Sequence, residues 1–77
     1  MQTEWDSADG IRVRVLPHPF WPDGAIGTVR GSRVFHGRRG DVEMVWIVFD
    51  RPAFDGDGDG PYSEGEVIAE YLEAVWA

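Results

Sequence analysis

The chain of 77 residues contains no cysteine, which excludes a disulfide framework, a thiolate zinc site, an iron–sulfur cluster and a cysteine nucleophile. Lysine is missing too, so all seven cations are arginine, set against fourteen acids. Guanidinium forks suit carboxylate or phosphate partners, and a GC-rich genome produces the same bias. No apolar run approaches the roughly 18 residues that mark a membrane-spanning helix. The segment Met1-Gln-Thr-Glu-Trp-Asp6 has neither the basic nor the apolar region of an export signal, and a cytoplasmic protein without membrane contact is expected.

Apolar residues make up 43% of the sequence and aromatics 13%, with four Trp and four Phe, which suffices to fold despite ten Gly and a net charge of −7. A chain this short buries only about 60% of its unfolded surface and forms one domain at most. Its charge is unevenly placed: residues 1–40 carry six arginines against four acids, and residues 41–77 carry Arg51 against ten acids. An acidic half repels a phosphate backbone, so nucleic-acid binding would rest on the local cluster Arg30, Arg33, Arg38 and Arg39 working against the overall field.

Period-two alternation of Ile11, Val13 and Val15 with Arg12 and Arg14, between Gly10 and Pro17, predicts a first strand after an N-terminal tail at 1–9. Pro17, Pro19 and Pro22 then fix a long ordered loop holding His18, Phe20 and Trp21. Residues 25–30 form a short strand in which Gly27 suggests a bulge, and Val34 and Phe35 belong to another. A polar turn at 36–41 precedes the strongest strand, Val42 to Phe49. Both its faces are apolar from Met44 onward, as in a barrel strand whose outer face is covered by another segment. Past Pro52 the period changes. Val67, Ile68, Tyr71, Leu72, Val75 and Trp76 share half of a helical wheel, and Ser63-x-x-Glu66 has the capping-box pattern, which makes Ser63 the expected N-cap. Residues 72–76 also alternate well enough for a closing strand. The whole is an all-β plan: a small SH3-like barrel of about five short strands over 10–77, with a helical turn or short helix near the C-terminus.

The order of Gly10-Ile-Arg-Val-Arg-Val15, a proline-rich loop, Gly24-x-x-Gly27-x-Val29, Val48-Phe49-Asp50 and Glu70-Tyr71-Leu72-Glu73 resembles the C-terminal SH3-like domain of nitrile hydratase beta subunits. More loosely it is similar to the photosystem I and ferredoxin-thioredoxin reductase accessory subunits. The resemblance covers about residues 10–73 and implies a partner that covers or buttresses another subunit. Asp23 stands where nitrile hydratase beta subunits carry an arginine directed at the partner's metal centre. The string Asp55 to Tyr62 lies outside that pattern and looks like one seen in small bacterial proteins of similar length.

Asp55, Asp57, Asp59 and Glu66 occupy positions 1, 3, 5 and 12 of an EF-hand calcium register, with Gly60 at position 6. A hard cation needs several oxygens, which these groups can supply, but a β-rich strand and Pro52 precede the loop where an EF-hand has a helix. Solvated acids of a flexible connection are the competing reading. Nucleophilic catalysis needs a nucleophile beside an oriented base, and His18, His36, Ser7, Ser32 and Ser63 show no such spacing. No motif calls for a cofactor other than calcium.

A non-enzymatic protein-binding or accessory module is therefore expected, acting on a protein partner or as a homo-oligomer. His18, Phe20, Trp21 and Trp46 are the candidate contacts, because aromatics on an ordered loop give contact area at little entropic cost. Calcium binding at Asp55, Asp57, Asp59 and Glu66 is the alternative, and weak nucleic-acid binding through Arg30, Arg33, Arg38 and Arg39 a third reading.

Overall fold

The computed structural model describes Trp5 and residues 8–75. In chain order these form β1 (Arg12–Val15), β2 (Ala25–Gly37), β3 (Gly40–Ala53), β4 (Tyr62–Ile68), a 3-10 turn at Ala69–Tyr71, and β5 (Leu72–Ala74). The strands make one antiparallel sheet in the order β4-β3-β2-β1-β5. The fold is all-β, and a 3-10 turn before the closing strand completes the SH3-like plan. No helix among the described residues is long and apolar enough to cross a membrane.

Strand alternation decides which side chains meet. Val13 and Val15 of β1 point inward beside Val29 of β2, Val45, Ile47 and Phe49 of β3 and Val67 of β4, all buried. Each fully buried aliphatic side chain contributes about 1.5–3 kcal/mol. Trp5, Ala8 and Trp21 complete the core, so the segment expected as a tail supplies two core residues. Its backbone is tied in as well, with the Ala8 carbonyl accepting from the Ile11 N–H at 2.9 Å.

Several expectations change. Val34 and Phe35 belong to β2 itself, which continues to a two-residue turn at Arg38-Arg39 and returns as β3. None of residues 33–42 is buried, so this hairpin extends past the core. The register shift lies between Val29 and Gly31 rather than at Gly27. Gly27 is needed for a close approach: a Cβ there would stand 2.3 Å from the Val48 carbonyl oxygen. The helix expected from Ser63 is absent. Ser63 and Glu66 lie in β4, paired with β3, and the 3-10 turn has no side-chain cap. Residues 72–74 close the sheet against β1. Trp76, on the expected wheel, lies outside the described residues.

Candidate functional site

The proline-rich loop is an ordered strap along the edge of β4. His18 and Trp21 exchange backbone hydrogen bonds, Gly24 N–H donates to the Trp21 carbonyl, and Leu16 N–H donates to the Tyr71 carbonyl at 2.8 Å. The Trp21 indole N–H donates to the Glu66 carbonyl at 3.1 Å. Its ring lies over Gly65, where a Cβ would stand 2.5 Å from it, and meets Phe49 edge-on. Trp21 therefore closes the core and supplies a partner to an edge-strand carbonyl. His18 is buried as well, its ring stacked on Tyr71 at 4.1 Å and its Nδ1 donating to the Leu16 carbonyl at 2.7 Å. Burial takes both residues out of the contact set expected for them. Phe20 is left as the loop's presented aromatic, 65% exposed.

The acidic loop docks on this strap. Gly56 N–H donates to the Phe20 carbonyl at 2.9 Å, an approach so close that a Cβ on Gly56 would stand 1.9 Å from the Pro19 carbonyl oxygen. One Asp55 carboxylate oxygen accepts the N–H groups of Asp57 and Asp59, both at 2.9 Å. The carboxylates of Asp55, Asp57 and Asp59 lie within 4.8 Å of one another, which makes them the one such metal-competent group among the described residues. Glu66 is not with them. Both its oxygens accept from Arg33 at 2.7 Å, a bond that raises Arg33 further above its already high pKa. The EF-hand register thus loses its twelfth-position ligand because that residue sits on β4 and its carboxylate reaches across β3 to Arg33 of β2.

Pairing across the sheet assembles an outer face that no single segment reveals. Phe35 opposes Val42, Arg33 opposes Met44, Gly31 opposes Trp46, and Ile68 and Glu66 of β4 oppose Met44 and Trp46 in turn. Directly opposed residues share a face, so Phe35, Val42, Met44, Trp46 and Ile68 form one apolar strip crossed by the Arg33–Glu66 pair. Phe35, Val42 and Trp46 are 46%, 42% and 37% exposed. The guanidinium of Arg33 also lies over the Phe35 ring at 4.5 Å, and the Trp46 indole N–H donates to Glu64 at 3.1 Å. A groove of about 420 Å³ continues the strip, with Phe20, Met44 and Ile68 as apolar walls and Asp55, Asp57 and Glu66 on its rim.

No protein-family model, curated protein or solved structure matches this chain. Geometry alone therefore sorts the remaining expected residues. Trp46 keeps its place on the exposed face. The expected arginine cluster is spread out: Arg33 is paired with Glu66, Arg38 and Arg39 form the hairpin turn, and Arg30 stands at the register shift about 25 Å along the strand from Arg38. Among the described residues neither histidine has a serine hydroxyl as hydrogen-bond partner: His18 bonds Leu16 and His36 bonds Asp41. Ser7 lies outside the described residues. Phe35, Val42, Met44 and Ile68 were not expected as contacts. The doubly apolar pattern of 44–49 was the signal for two of the face's positions, and strand register was needed for the rest.

Proposed function

We infer that this chain is a non-enzymatic protein-binding module whose contact surface is the outer face of β2, β3 and β4 together with Phe20. The observation that carries the reading is the apolar strip on the outer face of the sheet, Phe35, Val42 and Trp46 exposed and Met44 and Ile68 half-buried, continuous with the Phe20 groove. Contiguous apolar surface rimmed by polar groups marks interaction sites, and aromatic anchors dominate such contacts. The backbone bonds that fix the 17–24 strap present Phe20 without further ordering cost. The resemblance to accessory SH3-like domains supports the same reading.

The test compares the wild-type chain with a Phe20→Ser, Trp46→Ser double variant as affinity bait in extract of the source cells. The wild type is expected to retain a defined set of proteins that the variant loses while keeping its dispersed amide spectrum. Equal retention by both would contradict the assignment of this face.

A further inference from the structure

The strip is charged oppositely at its two ends. At the hairpin turn Arg38 and Arg39 are exposed and make no ion pair among the described residues, while the nearby Asp41 is occupied by His36 at 2.8 Å. Five residues separate Arg39 from Met44 along β3, about 16 Å at the rise of a strand. Met44 itself lines the groove, which carries the exposed Asp57 and the half-buried Asp55, with the exposed Asp59 on the same loop. A surface that runs from cationic through apolar to anionic is complementary to itself when turned end over end. That is the condition for an isologous two-fold contact.

We propose that the occupant of this face is a second copy of the chain, packed antiparallel, with each Arg38-Arg39 turn set against the other copy's acidic loop. The inference rests on the protein-binding reading and names its partner. In the dimer Phe35, Val42 and Met44 meet their counterparts across the two-fold, and two sets of charge contacts close the ends. A standard interface takes about 800 Å² from each partner, a modest share of the 5360 Å² this chain exposes. The net charge of −7 on each copy opposes association at long range, so specificity lies in the local end contacts.

A charge-swap experiment by sedimentation tests the arrangement. The turn variant is Arg38→Glu, Arg39→Glu; the loop variant is Asp57→Arg, Asp59→Arg, which spares the Asp55 carboxylate that holds the loop. Wild type is expected to dimerise with rising concentration below about 1 mM. Each variant alone places like charges at both ends and should be at least tenfold weaker. Mixed in equal amounts, the two restore opposite charges at both ends and should form a heterodimer, while amide spectra confirm that each variant is folded. A wild type that stays monomeric, or dimers indifferent to both swaps, would overturn the proposal. If the wild type is monomeric yet Phe20→Ser, Trp46→Ser still abolishes capture of other proteins, the second copy is ruled out and the protein-binding reading survives.

Discussion

At the residue scale, close approaches and single hydrogen bonds set the site. Gly56 lets the acidic loop lie on the proline strap, and Gly56→Ala should destabilise the fold by about 1–3 kcal/mol and shift amide resonances in both 17–24 and 55–60. A variant with wild-type urea midpoint and spectrum would show that the two loops are not docked. Asp55 is the loop's staple and its neighbours are not. Asp55→Ala should therefore speed amide exchange at Asp57 and Asp59, whereas Asp57→Ala should leave it unchanged.

Asp50 gives a pH dependence with a definite sign. Arg12 donates to both its oxygens, at 2.6 and 2.5 Å, and chiefly through these bonds holds its pKa below the usual carboxylate value. A carboxylate depressed in the folded state stabilises above its unfolded pKa, and the contribution is lost as pH falls through the folded one. The difference in urea midpoint between wild type and Asp50→Asn should thus be present near pH 6 and shrink below about pH 4. A difference that stays constant across that range would mean the pair is not formed in solution.

At the scale of elements, β4 and the strap depend on one another. β4 ends the sheet, and an edge strand leaves backbone groups unpaired. The Trp21 indole supplies a donor to one of them. Trp21→Phe keeps most of the ring over Gly65 but deletes that bond. It should cost about 1 kcal/mol, measured by urea unfolding, and raise amide exchange in residues 64–68 more than in β1. Uniform exchange changes would place the effect in the core rather than at the edge.

The sequence patterns were most informative where one face of a strand is polar. Alternation at Arg12–Val15 shows β1 directly, and the doubly apolar run after Met44 marks a strand with a second face to cover. The final segment misled for a physical reason. Val67 enters the core while Ile68 joins the outer strip, so alternation is hidden, and the 3-10 turn at Ala69–Tyr71 shifts the phase before Leu72. A strand, a turn and a strand together imitate a 3.6 period. Glu66 shows the same limit: its spacing from Ser63 and from Asp55 fits two local motifs, and a cross-sheet bond to Arg33 overrides both. Long-range pairing is invisible to spacing. The burial of Trp21 beside an exposed Phe20 likewise depends on Gly65 and Glu66 of β4, 44 and 45 positions away in the chain.

At the scale of the molecule, the core takes two of the three tryptophans among the described residues, Trp5 and Trp21, while Trp46 remains on the outer strip. The inner faces of the strands form the core, and the outer face of β2, β3 and β4 keeps Phe35, Val42 and Trp46 exposed. The most direct test is an amide NMR dilution series of labelled protein from about 1 mM to 10 μM. Concentration-dependent shifts confined to residues 31–46, 55–60 and 64–68, with β1 and β5 unmoved, are the predicted result. Shifts centred on β1 and β5 would place the contact on the opposite part of the sheet and contradict the assignment of this face.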